Sequence, residues 1–446
     1  MTRLRDIRGC FEGVIPSIIA TVDGEGMPNI SYLSHVYYLD DDHVALSNQY
    51  FTKTAANTRT RGHAALILVD GISGRQYQLD ITFLRAEAAG ELFTRMAAHL
   101  KAMSSQQGMA EIMALRSADI YRVTSCIPVP CPDLEGETGP PAAPALDRLG
   151  AAARLAAVLG AAPEADSMID LALEGLDRVF GFRQAMILVP DADGRRLTTL
   201  ASRGYDSLGI GSEVPAGQGV IGIAADSRLP LRISDMSRGR RYAAAVGGAL
   251  PVAPRSIPLP GLPEALSQMA VPMIHRGQML GVLFVESPAR FAFLQEDEDA
   301  LALLAGQLAA GLRLHEAEAR DAPGLAPAGT MEPPAPARRI RLRYYRYDDS
   351  VFIDEGYLIK GVPGRLLYHL IAIFLREGRQ EFTNREIRLA PELRLPEVKD
   401  NLETRLILLR RRLEEHQAPL RLIRTGRGRL RLELDGQPTI DVVEDA

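Results

Sequence analysis

Ten lysines and arginines fall between Lys399 and Arg431, against four aspartates and glutamates. They sit in a helical stretch, Glu397 to Glu415, and in a hairpin-like stretch, Leu420 to Leu434, with sequence LRLIRTGRGRLRLEL. A local cationic surplus attracts phosphate backbones through counterion release. The whole chain does not share it, because 51 basic residues face 56 acidic ones. Catalytic chemistry has less to work with: no nucleophile sits beside a base, and no pair of carboxylates stands out for acid–base work. Cys126 and Cys131, in CIPVPC, are a weak metal signal, because zinc needs four ligands and no second pair exists. A redox-sensing disulfide and two plain thiols both remain open for them.

The elements that must position these residues follow from length and composition. A chain of 446 residues is too long for one core, so two to four domains are expected. Two segments rich in Pro and Gly, Pro128 to Pro144 and Asp321 to Ala337, read as extended connectors. The expected division is residues 1–130, a linker at 131–144, residues 145–320, a linker at 321–337, and residues 338–446. Only the last block is basic, with 22 Lys and Arg against 18 Asp and Glu. Three cysteines suit a reducing compartment, and no window of eighteen apolar residues lacks a charge. A cytoplasmic protein without a membrane segment is expected.

In the first block, VIPSIIATVD, NISYLSHVYYLD, HVALSNQYF and AALILVD alternate like strands. Helix-like KTAANTRTR interrupts them, and an amphipathic stretch runs from Glu91 to Leu115. The run from Ile15 to Asn57 resembles the FMN-binding split barrel of the pyridoxamine 5′-phosphate oxidase-like family, most specifically in SNQYFTKTAAN. That resemblance implies a flavin whose phosphate and ribityl chain are held by Ser47, Asn48, Thr52, Lys53, Thr54 and Asn57. It also implies a homodimer, since the family binds its cofactor between two copies. A lysine among hydroxyl and amide donors at a helix start suits a phosphate. The same residue types also make ordinary N-caps, so an empty barrel is the alternative. Haem is a further option for a split barrel, with His35, His43 or His63 as ligand.

The second block reads as helix, meander, helix. Hairpin turns are expected at Asp193-Gly194 and Arg276-Gly277, and DEDALALLAGQLAAGLRL closes the block as a helix. GQGVIGIAADSRLPLRISDM and AVPMIHRGQMLGVLFVES are similar to a GAF domain over residues 146–316. The likeness implies a small-molecule ligand over the sheet, or dimerisation through the flanking helices. With no cysteine in the block, a thioether-linked bilin is excluded. The Pro- and Gly-rich stretch Arg238 to Pro263 could cover a pocket, with Arg240, Arg241 and Tyr242 facing an anion.

The third block begins with strands turned at Asp348-Asp349 and Glu355-Gly356. A helix follows that ends at Gly378, and a second is capped by Thr383 with Glu386 three residues on. With the basic helix and the hairpin, this order resembles the winged-helix domain of response regulators. The likeness implies that Arg405, Arg410, Arg411 and Arg412 meet DNA from the helix, and Arg424, Thr425, Arg427, Arg429 and Arg431 from the wing. Val398, Leu402, Leu406, Leu409 and Leu413 form the core stripe, which leaves Ile407 and Leu408 on the outer face. Exposed aliphatics there suit thymine methyls or a protein surface equally.

The expected fold is therefore α+β and multidomain: a split β-barrel, a GAF-like α/β sandwich, and a winged helix. The expected function is a one-component transcriptional regulator, a flavin- or ligand-sensing protein that binds DNA. An FMN-dependent oxidoreductase with two regulatory domains is the alternative.

Overall fold

The computed structural model describes residues 2–49, 53–105, 114–130, 147–237, 256–321, 339–393, 395 and 401–444. Its first sheet contains β1 (Ser17–Val22), β2 (Pro28–Leu33), β3 (Val36–Tyr38), β4 (His43–Asn48), β5 (His63–Val69), β6 (Gln76–Glu87) and β7 (Ser117–Val129). The order is β2-β1-β5-β6-β7-β4-β3, and every pairing is antiparallel. The expected strand NISYLSHVYYLD breaks at Ser34 and His35. A straight strand would send Leu33 and Val36 to opposite faces, whereas both enter one core with Leu46, Leu66, Leu79 and Tyr121. Helix α1 (Lys53–Arg61) follows β4, and α2 (Glu91–Ser105) follows β6.

The second sheet is built from β8 (Gln184–Pro190), β9 (Arg196–Arg203), β10 (Glu213–Pro215), β11 (Leu231–Ile233), β12 (Ser267–His275) and β13 (Gln278–Ser287), in the order β10-β9-β8-β13-β12-β11. Strand β8 shows why its sequence is apolar without alternation. Ala185, Ile187 and Val189 face one core, and Met186 and Leu188 face another. The first core is closed by α3 (Arg148–Gly160), α4 (Ala165–Gly175) and α6 (Gln295–Asp321). The second is closed by α5 (Gly219–Ser227) and, from the first domain, by Ala98 and Ala102 of α2. Helix α2 therefore belongs to the barrel in sequence and to both domains in packing.

The last block opens with β14 (Arg339–Tyr345), β15 (Ser350–Ile353) and β16 (Gly356–Ile359), then α7 (Val362–Glu377), β17 (Glu381–Thr383) and α8 (Asn384–Leu389). Pro363 stands in the first turn of α7, where its missing N–H costs nothing, and Gly378 ends the helix at φ 68°. Thr383 caps α8 by accepting from the Glu386 N–H at 3.2 Å. Helix α9 (Leu402–Glu415) is capped by Asn401, whose side chain accepts from Thr404 N at 3.1 Å. Strands β18 (Leu420–Gly426) and β19 (Arg429–Leu434) form the hairpin, with β17 beside β19. Strand β20 (Gln437–Val443) returns to pair in parallel with β14. No helix among the described residues is long and apolar enough to cross a membrane.

Candidate functional site

The residues assigned to a flavin do not converge. Ser47 is buried and donates to the His35 carbonyl at 3.2 Å. Asn48 donates to Asp119 at 3.2 Å, and burial raises the Asp119 pKa against that bond and another from Ser117. Thr54 shares its hydroxyl with Asn29 at 3.0 Å and Ser31 at 2.8 Å, while Asn57 donates to Thr21 at 3.1 Å. These four side chains tie α1 and β4 to the sheet and leave little for a ligand. Lys53 is exposed at the start of α1, where helix N–H groups lack intrahelical partners. Thr52 lies outside the described residues. Lys53 thus stands exposed at the start of α1, while the side chains of Ser47, Asn48, Thr54 and Asn57 are hydrogen-bonded within the protein.

The three histidines named for haem also part company. His43 bonds Asp40 at 2.9 Å, and His63, exposed at the start of β5, bonds Thr82 at 3.2 Å. His35 is buried and stacks on Tyr37 with ring centroids 4.0 Å apart. His99 of α2, which no sequence motif singles out, meets His35 edge-on at 4.7 Å. Burial depresses the basicity of both rings, and nearby Arg232 adds to it, so that His99 is pulled down to about 4. Both imidazoles are neutral at pH 7. Among the described residues no group of three His, Cys, Asp or Glu could hold a metal ion. Cys126 is buried, and Cys131 lies outside the described residues, as do residues 238–255, which include Arg240, Arg241 and Tyr242.

The basic helix faces protein. Ile407 and Leu408, expected on an open face, are 4% and 1% exposed. The correction has a plain cause: α9 is sandwiched between α7 and β18 on one side and β9, α4 and α6 of the second domain on the other. Arg405 donates to the Pro190 carbonyl at 2.8 Å. Arg410 pairs with Asp166, and burial lowers its pKa. Arg411 reaches Asp166 at 2.6 Å and Asp170 at 2.7 Å. Arg412 donates to the Leu358 carbonyl and to Glu415, each at 2.8 Å, and Glu415 accepts from Gly209 N and Ile210 N.

The hairpin of β18 and β19 is only half engaged. Arg424 pairs with Glu403 at 3.2 Å and Glu164 at 3.5 Å, and Arg431 with Glu381 at 2.9 Å. Arg429 is partly buried, whereas Thr425 and Arg427 at the tip are exposed, with Glu318 3.6 Å from Arg427. Arg388 with Glu316 and Lys360 with Glu213 add two more bridges to the second domain. The acidic partners carried no sequence signal, because they are scattered over 164–318 and gather only on the folded surface.

Three kinds of similarity bear on these sites. The model of the GAF domain matches residues 164–312, and that of pyridoxamine 5′-phosphate oxidase matches residues 5–124. Among solved structures, the GAF domain of an Acinetobacter phosphoenolpyruvate-protein phosphotransferase is 19% identical, with 38% of this chain and 95% of that one covered and a TM-score of 0.32. An FMN-binding protein from Syntrophomonas wolfei is 19% identical, with 29% and 86% covered and a TM-score of 0.25. The free methionine-R-sulfoxide reductase of Neisseria meningitidis, in complex with its substrate, is 18% identical, with 37% and 87% covered and a TM-score of 0.30. No curated protein sequence matches the chain. The chain thus carries a pyridoxamine 5′-phosphate oxidase-like N-terminal domain followed by a GAF domain, and neither match reaches beyond residue 312.

Proposed function

We propose that this chain is a cytoplasmic one-component regulator with three domains, 1–130, 145–320 and 338–446, whose C-terminal winged helix binds DNA after release from the GAF domain. The observation that carries the reading is the charge match between α9 and the acidic surface under it. Arg410 and Arg411 lie on Asp166 and Asp170, and Arg424 lies near Glu164. An anionic face that holds cations in the docked state competes directly with phosphate for them. The exposed Thr425 and Arg427 leave the wing tip ready for first contact with a duplex.

The inputs follow from the other two domains. The first takes FMN with its phosphate at Lys53, supported by the family match and by that side chain's position at the start of α1. The GAF domain takes a small-molecule ligand. A homodimer is supported by the exposed apolar residues Met27, Ile30 and Tyr32 around β2, an edge strand that a second copy would cover.

The deep burial of Ile407 and Leu408 favours a second reading, in which α9 is a permanent docking helix and never meets DNA. Duplex binding by the full chain separates the two. Wild type should bind a random duplex weakly. The double variant Asp166→Asn, Asp170→Asn should bind about tenfold tighter and lose that gain as salt is raised. Equal, weak binding by both proteins would establish permanent docking.

A further inference from the structure

We infer that the space between the first two domains, which Ser47 also lines, is a binding site for a small, uncharged heterocycle, distinct from the phosphate site at Lys53. The cavity measures about 180 Å³. An apolar cavity of about 150 Å³ accepts benzene, so this one has room for a molecule of one or two rings.

Its walls come from both domains. The barrel supplies the turn at Glu12 and Gly13, the bend at Ser34 to Tyr37, and the face of α2 that carries His99 and Met103. The GAF domain supplies residues 233–236, at the end of β11. Helix α2 turns Ala98 and Ala102 into the GAF core while His99 and Met103 line the cavity, so one rigid element joins the site to both domains.

The chemistry of the walls selects the ligand. The His35 ring lies against the Phe11 backbone, which favours its protonated form, but its buried Nδ1 makes no well-formed hydrogen bond among the described residues. A buried polar atom left in that state is costly, and a ligand bonding to it would recover that cost. Gly13 permits the arrangement: its φ is +67°, and a Cβ there would collide with the His35 ring. Two neutral imidazoles each offer one donor and one acceptor nitrogen, and the hydroxyls of Ser34 and Ser234 stand on the same walls.

The charged lining groups are already committed. Glu12 pairs with Arg232 and accepts from Ser234, while Asp235 pairs with Arg290 at 2.7 Å. Arg232 is held further by Glu298 at 3.1 Å. A phosphorylated ligand would have to break one of these pairs to find a cation, and a cationic ligand to find a carboxylate. A neutral ring with both a donor and an acceptor meets the walls without that loss.

Benzimidazole, uncharged at pH 8, is a suitable probe for titration calorimetry on the full chain. One saturable site per chain is expected. Met103→Trp, which fills the space, should weaken it by about tenfold or more. His99→Phe keeps a ring but removes the nitrogens, and should weaken it by about fivefold. The bound probe should slow amide exchange at 233–236 and along α2 together. Three results would each overturn the site: no saturable binding to wild type, binding indifferent to both variants in proteins that melt as wild type does, or displacement of benzimidazole by FMN.

Discussion

Arg411 sits 2.6 Å from Asp166 and 2.7 Å from Asp170, so one of the arginines expected to touch DNA is clamped to the GAF domain. Asp166 also meets Arg410, which makes one carboxylate the anchor for two guanidinium groups. Both partners of the Arg411–Asp166 pair are largely buried, with side-chain exposures of 15% and 12%.

Removing one partner should therefore be costly. Arg411→Ala leaves Asp166 with less compensation in a place water barely reaches, and should lower unfolding stability by roughly 2–4 kcal/mol. Paired with Asp166→Ala in a double-mutant cycle, it should show a coupling of about 1–3 kcal/mol by urea denaturation. A coupling near zero would mean that the docked arrangement is not the solution state.

Acid should loosen the contact between barrel and GAF domain before the rest of the chain. His99 titrates at about 4 in the folded protein against an ordinary 6.5. Between those values the unfolded chain binds more protons than the folded one, so stability rises with pH across that window and falls as pH drops through it. His35 shifts in the same direction, also through burial, with His99 and Arg232 opposing protonation and the Phe11 backbone only partly offsetting them. Thermal melts from pH 7 to pH 4.5 should show wild type losing several degrees more than His99→Phe, which has no proton to gain.

Gly13→Ala tests the packing that holds His35 in place. The positive φ of +67° disfavours any side chain, and the added methyl meets the imidazole. A loss of about 2 kcal/mol or more is expected by denaturant melting, with the His35 environment visibly altered in NMR spectra. A neutral outcome would show that this turn is not fixed as described.

Lys53→Ala and Asn57→Ala should behave differently toward FMN. Lys53 is exposed at the start of α1, so its loss should weaken flavin binding about tenfold and leave the melting temperature nearly unchanged. Asn57 is buried against Thr21, so its loss should cost about 1 kcal/mol of stability. Flavin titration and thermal melts on the same two proteins check both halves.

Much of the local structure was legible in the chain itself. The Thr383 cap, the end of a helix at Gly378, the Asp193-Gly194 turn and the span of α1 all appear where the residues put them. Each is decided within a few positions, by a capping side chain or by a glycine free to take positive φ, and such short-range chemistry is written directly in sequence. The two N-terminal domain types were legible as well, through the resemblance of SNQYFTKTAAN and of AVPMIHRGQMLGVLFVES to known families.

What the arginines face was a matter for tertiary structure. Arg411 and Asp166 are 245 positions apart, and no periodicity on α9 announces an acidic partner so far away. The same holds for the pocket, where His35 and His99 meet only because α2 packs at once on the barrel and on the GAF domain. Sequence supplied the charge, its clustering and the helix that carries it. Folding decided whether that charge met solvent or a carboxylate, because electrostatic energy depends on distance and burial, and the packing of separate domains sets both.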